Sequence, residues 1–151
     1  MFDRILLAVD SWDRAKGAVA AAVDLAAKSR GEVLIMHVHG TGLVSRETVD
    51  LEEKTGGRRL TAAAFAVLAA KRDVRAPAGL RVAQSAGVAR QILHEAEAFG
   101  ADTIVLGSRG PEGFTGLPLG SVAHRVIQRA ECPVVVAPVG GRRDARDARV
   151  Q

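Results

Sequence analysis

Residues 103–110 read Thr-Ile-Val-Leu-Gly-Ser-Arg-Gly, and the pair Gly120-Ser121 follows after nine further residues. The apolar run that opens this stretch predicts a short strand, and apolar side chains recur at helical spacing from Ser121 onward. Glycines at positions 107, 110 and 120 mark the connection between strand and helix as a loop. A helix that starts there presents free backbone N–H groups and the positive end of its dipole, so the loop is a candidate phosphate site.

The same alternation of strands and helices extends in both directions from this stretch. Apolar runs predict strands at residues 5–9, 33–38, 80–84, 103–106 and 133–137. Helical patterns lie between them, at residues 15–29, about 51–72, 89–99 and 121–129. Gly31 is expected to stop the first helix and Gly100 the third.

This order of elements predicts an α/β fold with a single doubly wound domain over residues 1–139. Its five-stranded, mostly parallel sheet is expected to have the order 3-2-1-4-5 and to carry helices on both faces. In such a sheet, ligands bind beyond the carboxyl ends of the strands, where the strand order reverses. Asp10, at the end of the first strand, is then expected to face the same crevice as the glycine loop.

Each residue type in the loop suits contact with a phosphate chain. Gly107 permits close approach of a ligand, and Gly110 permits a turn with positive φ. Gly120 lets the backbone turn into the helix, and Ser121 can cap that helix or offer its hydroxyl to a phosphate. Arg109 can add a charged contact.

Simpler interpretations stay open on these residues alone. The glycines can form a surface loop before an ordinary capped helix, and Asp10 can cap the first helix. Other phosphate-binding motifs fit poorly, because no Gly-x4-Gly-Lys-Ser/Thr segment of a P-loop NTPase occurs. The turn that follows the first strand, residues 10–13, also lacks the glycines of a dinucleotide-binding fold.

Composition favours a small cytoplasmic protein. The 151 residues suit one domain with a substantial core. No apolar run approaches the roughly 18 residues of a membrane span, and residues 1–5 lack the pattern of a secretion signal. Cys132 is the single cysteine, which excludes an internal disulfide and a cysteine cluster for zinc. We therefore predict a cytoplasmic protein with no membrane partner.

The charge distribution argues against nucleic acid as a partner. The segment from Gly140 to Gln151 holds four arginines and two aspartates, so it carries half of the net charge of +4. This mixed-charge segment is predicted to be a disordered C-terminal tail, with a functional basic tail as the alternative. No basic stripe with interleaved aromatic residues occurs, so no nucleic-acid partner is predicted.

The sequence contains no recognisable catalytic group. His37 and His39 alternate along a predicted strand and therefore point to opposite faces, which makes them poor joint metal ligands. His94 and His124 each lie on a predicted helix without a cysteine or a second histidine nearby. No Ser-His-Asp order and no water-activating base is evident beside the glycine loop, so the loop is predicted to hold phosphates rather than to hydrolyse them.

One spacing also resembles a known signature. The pattern G-x2-G-x9-G-[ST], at Gly107, Gly110, Gly120 and Ser121, resembles the nucleotide-binding signature of the universal stress protein family, ATP-binding type. The resemblance covers residues 5–139 and is strongest at 101–110 and 120–138. It departs from the family pattern at Ser11-Trp12 and at residues 86–88, both on the adenine side of the site.

The resemblance implies ATP as the ligand and assigns a role to each matching residue. Asp10 is expected to contact the ribose, the backbone of Ala8 and Val9 to hold adenine, and Val38 to line the adenine pocket. The phosphate-contacting segment is matched by Gly107, Gly110, Gly120, Ser121 and Val122, with Ser108 and Arg109 lying within it. Independently of the resemblance, contact with the Mg²⁺ of bound ATP is the alternative role of Asp10, and no direct metal cluster is predicted.

The resemblance further implies a homodimer and a regulatory role. The last strand, Val134 to Val139, is expected to pair with its twin across a two-fold axis, which covers an otherwise exposed sheet edge. The implied function is that of a stress-response module whose small-molecule partner is a nucleotide. A slow ATPase, a nucleotide-free interaction protein and a cyclic-nucleotide-binding module of the same fold stay open as alternatives.

Overall fold

A parallel β-sheet forms the centre of the protein. The computed structural model describes residues 1–9, 12–38, 59, 62, 82–83, 87–108 and 120–138. Its elements in chain order are β1 (Arg4–Val9), α1 (Trp12–Ser29), β2 (Glu32–Val38), β3 (Val82–Ala83), α2 (Val88–Phe99), β4 (Thr103–Gly107), α3 (Ser121–Arg129) and β5 (Val134–Ala137). Residues 59 and 62 are also helical, and both fall within the helix predicted at about 51–72.

The strands lie in the order β3-β2-β1-β4-β5, and each neighbouring pair is parallel. The order is the one that the sequence predicts, although β3 is described over two residues only. β1 occupies the middle of the sheet, with Ile5 in register with Val33 of β2 and Thr103 of β4. The doubly wound α/β fold is therefore confirmed.

Helices cover both faces of the sheet, and alternate residues of β1 feed two separate cores. Ile5, Leu7 and Val9 pack on the α1 side, whereas Leu6 and Ala8 pack on the side of α2 and α3. Ile5, Leu6 and Leu7 are all fully buried. Each large aliphatic side chain buried in this way contributes about 1.5–3 kcal/mol. The continuous apolar run thus forms a strand that is buried on both faces, as its sequence predicts.

The two helix ends that were predicted at glycines differ in their backbone conformation. Gly100 ends α2 in the left-handed conformation, with φ of 67°, as predicted. α1 ends at Ser29, as predicted, and the N–H group of Gly31 donates a 2.9 Å hydrogen bond to the carbonyl of Ala26 in its last turn. The left-handed residue, however, is Arg30, with φ of 55°, and not Gly31. Gly31 is also needed for space, since a Cβ there would lie 2.2 Å from the carbonyl oxygen of Phe2.

A second close approach places α1 directly over the end of β5. A Cβ added to Gly17 would lie 2.2 Å from the carbonyl oxygen of Pro138 and 3.8 Å from the Cβ of Ala137. Gly17 therefore lets the helix backbone contact the end of the last strand. The sequence offers one signal for this contact, a single glycine within an otherwise alanine-rich helix.

Asp102 joins the amino-terminal ends of β1 and β4. Its carboxylate accepts hydrogen bonds from the backbone N–H groups of Phe2, Asp3 and Arg4 at 3.1, 2.8 and 3.3 Å, and from the Thr103 hydroxyl at 3.0 Å. Burial acts to raise the pKa of Asp102, but these hydrogen bonds outweigh it and the pKa lies below its ordinary value.

None of the described helices combines the length and apolar character that a membrane-spanning helix needs. The predicted tail at 140–151 lies outside the described residues.

We expect Gly17→Ala to lower the free energy of unfolding by about 1–3 kcal/mol, because the new methyl group overlaps the Pro138 carbonyl. Gly87→Ala is the matched control, since the nearest atoms to its added Cβ lie 4.0 Å away. Because Gly87 is the N-cap of α2, where alanine is less favourable than glycine, that variant should cost up to about 1 kcal/mol, without any overlap. Urea unfolding measures both values, and equal losses in the two variants would contradict the proposed overlap.

We expect Asp102→Asn to remove about 1–2 kcal/mol of stability at neutral pH, because charged acceptors form the stronger hydrogen bonds. The lowered folded-state pKa means that this contribution is complete above the unfolded pKa, near 3.8, and is lost as the pH falls through the folded-state value.

Stability measured by urea unfolding from neutral to acid pH should therefore fall less steeply in Asp102→Asn than in the wild type. Asp24→Asn, at an exposed position of α1, serves as the control and should follow the wild-type profile. Parallel profiles for the wild type and Asp102→Asn would show that the Asp102 carboxylate does not carry the acid sensitivity.

Candidate functional site

The strand order reverses between β1 and β4. From β1 the chain moves to β2 and β3 on one side of the sheet, whereas β4 is followed by β5 on the other side. Ala8 of β1 is in register with Leu106 of β4, so the carboxyl ends of these two strands lie side by side. This is the place in an open α/β sheet where a ligand crevice forms.

Four of the predicted site residues end strands at this edge. Ala8 and Val9 are the last two residues of β1, and they are 6% and 3% exposed. Val38 is the last residue of β2, and Gly107 is the last residue of β4. Since these strands are adjacent and parallel, the structure brings the adenine-side and phosphate-side candidates of the sequence to a single edge of the sheet.

Ser108 has its backbone N–H group committed to the sheet. This group donates a 2.7 Å hydrogen bond to the carbonyl oxygen of Ala137, which continues the pairing of β4 with β5 past Gly107. The contribution of Ser108 to a ligand is therefore limited to its hydroxyl and carbonyl groups. The sequence could not reveal this, because the bond depends on the position of β5.

The start of α3 has backbone donors that the helix itself leaves unpaired. Gly120 is the N-cap, in an extended conformation with φ of −64° and ψ of 158°, and no side chain of the described residues caps the helix. The first helical bond runs from the N–H of His124 to the carbonyl of Gly120 at 3.0 Å. The N–H groups of residues 121–123 precede this bond, so the helix itself gives them no acceptor.

The electrostatics of α3 also favour a negative ligand at its start. Its first turn contains no acidic residue, and its sequence carries Arg125 and Arg129 without a carboxylate. Ser121 is the exposed first residue of the helix rather than its cap, so the predicted capping role of Ser121 was wrong. Its hydroxyl lies at the helix start, where the helix dipole favours negative charge.

Three predicted contacts, Asp10, Arg109 and Gly110, lie outside the described residues, as does His39. Trp12 is the first residue of α1 and so begins the helix that follows β1. Gly17, which the sequence analysis did not single out, positions that helix through its contact with Pro138.

The histidines of the described segments do not converge on a metal. His37 lies within β2 and is 4% exposed, whereas His94 and His124 are exposed on α2 and α3. In the part of the chain that the structure describes, no group of three or more histidine, cysteine, aspartate or glutamate residues could hold a metal ion.

Comparison with known proteins places this chain in a family. The sequence profile of the universal stress protein family matches residues 1–138. The universal stress protein YxiE of Bacillus subtilis is 31% identical over 150 residues, which cover 90% of this chain and 99% of that protein. A universal stress protein of Thermus aquaticus is 32% identical over 136 residues, covering 90% and 98%.

Solved structures share the fold. A universal stress protein from Archaeoglobus fulgidus superposes with a TM-score of 0.73 at 24% identity, over 91% of this chain and 99% of that one. The A. fulgidus protein in complex with dAMP gives a TM-score of 0.67 at 24% identity, covering 89% and 96%. A universal stress protein in complex with cAMP gives 0.69 at 19% identity, covering 91% and 98%. Taken with the match to the family profile and to YxiE, these findings show that the chain belongs to the universal stress protein family.

Proposed function

We propose that this protein binds ATP at the carboxyl ends of β1 and β4 and acts as a homodimeric stress-response module in the cytoplasm. The observation that carries the proposal is the start of α3, where the N-cap is a glycine, the first turn has no acidic residue and no described side chain caps the helix, so its first backbone N–H groups can bind an anion. Two proteins of the same fold are described in complex with dAMP and with cAMP, which supports a nucleotide as the ligand.

The proposed contacts divide between the two halves of the nucleotide. Adenosine would lie against the ends of β1 and β2, through Ala8, Val9, Asp10 and Val38. The phosphates would lie against the segment between β4 and α3, through Gly107, Ser108, Arg109, Gly110, Gly120, Ser121 and Val122. Contact of Asp10 with the Mg²⁺ that accompanies ATP is the alternative to its contact with the ribose.

The chemistry of these groups favours binding of ATP over its hydrolysis. Backbone N–H groups and a helix dipole stabilise the charge of bound phosphates. Phosphoryl transfer needs in addition a positioned nucleophile and stabilisation of charge that develops in the transition state. The proposed role of ATP is therefore to stabilise one conformational or assembly state of the protein over another.

Placing a carboxylate at the start of α3 should weaken ATP binding without unfolding the helix. We expect Ser121→Asp to reduce ATP affinity about tenfold, because the new charge repels the phosphates, while the same charge favours the helix dipole and keeps thermal stability. Ser121→Asn, which is similar in size and neutral, should bind ATP about as well as the wild type. Isothermal calorimetry with ATP, ADP, AMP and cyclic AMP measures these affinities.

Trp12 gives an independent measurement, because it is the only tryptophan and the chain has no tyrosine. Its emission should change on titration with the preferred nucleotide. Absence of calorimetric binding for all four nucleotides at millimolar concentration would overturn the proposal. Preference for cyclic AMP would favour the cyclic-nucleotide module, and phosphate release that Asp10→Ala abolishes while ATP still binds would favour the slow ATPase.

The proposed dimer rests on β5, which lies at one end of the described sheet. The carbonyls of Pro133 and Ala137 accept hydrogen bonds from Ile104 and Ser108, on the β4 side. Because the polar backbone groups of successive residues alternate in direction along a strand, those of Val134 and Val136 point away from β4. These groups, together with the half-buried valine side chains, are available for pairing Val134 to Val139 with a second copy.

Proline at the outward-pointing position tests this arrangement. We expect Val136→Pro to convert the dimer to a monomer, because it removes an outward N–H group while the hydrogen bonds to β4 remain. Val136→Thr keeps that N–H group and the branched shape, so it should stay dimeric. Light scattering across a range of concentrations measures the mass, and a monomeric wild type or a dimeric Val136→Pro variant would contradict the proposed interface.

A further inference from the structure

A groove of about 540 Å³ lies between α2 and the turn that follows α3. It reaches Ala101 and Ile104, at the amino-terminal end of β4, and Cys132, just before β5. The proposed nucleotide crevice lies at the opposite end of the sheet, where Gly107 ends β4. The groove therefore belongs to a different surface of the protein, and its volume lies within the range of small-molecule sites.

The floor of the groove is apolar. Ala96 and Ile104 are buried beneath it, and Leu93 and Cys132 are half-buried along it. Burial and the charge of Asp102 both raise the pKa of the Cys132 thiol, so this group is neutral at physiological pH. The thiol consequently adds to the apolar surface rather than acting as an anion.

Charges of both signs surround this floor. Arg90, His94 and Glu97 are exposed along one face of α2, at spacings that bring their side chains to the same side of the helix. Arg129 and Glu131 are exposed on the opposite wall. Within the described segments, neither arginine and neither glutamate of this rim forms an ion pair.

We propose that this groove binds a small zwitterionic molecule with an apolar body, of the class of short apolar peptides. Two arginines and two glutamates give the rim a balanced charge, so it does not concentrate polyanions such as nucleotides. The same four groups can accommodate one carboxylate and one ammonium ion of a ligand whose apolar side chains cover Leu93 and Cys132. This proposal is independent of nucleotide binding at the other end of the sheet.

Cys132 provides the measurement, because it is the only cysteine in the chain. The full-length protein is alkylated with iodoacetamide in the presence of the dipeptide leucyl-leucine, and the rate is followed by mass spectrometry. At ordinary ligand efficiency a molecule of this size reaches a Kd of about 0.2 mM. We therefore expect about 2 mM dipeptide to slow the alkylation of Cys132 about tenfold.

Matched compounds and variants separate the charged contacts from simple apolar binding. The N-acetylated, C-amidated dipeptide has the same side chains without the charges and should leave the rate unchanged. The double variant Arg129→Gln and Glu131→Gln should lose the protection, whereas Arg125→Gln, an exposed position of α3 outside the groove, should retain it. Far-UV circular dichroism checks that each variant is folded.

The proposal is overturned if leucyl-leucine fails to slow the alkylation, if the uncharged dipeptide protects equally well, or if the double variant keeps full protection. Protection by ATP instead of the dipeptide would also overturn it, because the groove would then accept a polyanion. Nuclear magnetic resonance shifts confined to α2, the end of α3 and Cys132 on addition of the dipeptide would support the site by a second route. Shifts confined to other surfaces would contradict it.

Discussion

The burial of β1 on both faces is the constraint on which the rest of the structure depends. Its side chains alternate between two cores, so α1 must cover one face of the sheet, and α2 with α3 must cover the other. The neighbours β2 and β4 satisfy its backbone groups on both sides. Because the strand order reverses between β1 and β4, the carboxyl end of β1 is where a ligand crevice is expected.

The two ends of the sheet are organised differently. At the amino-terminal end, the Asp102 carboxylate binds three consecutive backbone N–H groups and ties β1 to β4. At the carboxyl end, no side chain of the described residues caps the N-terminal turn of α3. The first end uses an internal carboxylate to satisfy its backbone donors, and at the second end we propose that an anion from outside does so.

Close backbone contacts set how the layers pack against each other. Gly17 lets α1 lie against the end of β5, and Gly31 lets the segment around Phe2 lie against the start of β2. Both contacts are between residues far apart in the chain. α1 comes after β1 in the chain, at one side of the proposed crevice. Through Gly17 it also contacts the end of β5, the strand proposed to form the dimer.

Much of the fold could be predicted from the sequence, because its signals are local. The unbroken apolar run at 5–9 predicted a strand buried on both faces, and Gly100 marked the end of α2 through its tolerance of positive φ. The spacing of Gly107, Gly120 and Ser121 likewise predicted the end of β4 and the start of α3. In this way the sequence predicted which edge of the sheet carries the candidate site. It did not predict which backbone and side-chain groups there are available to a ligand.

The sequence by itself determined the alternation of the described elements, the two-sided core, the end of β4 and the start of α3, since these depend on side chains close together in the chain. Only the tertiary structure decided that Ser108 donates its N–H to Ala137, that Arg30 rather than Gly31 takes the left-handed turn, and that Gly17 contacts Pro138. The groove beside Cys132 also exists only through the packing of α2 near the turn after α3. The physical reason is the same in each case. Contacts between residues far apart in the chain are set by how whole helices and strands pack, and a local pattern of residues does not encode that packing.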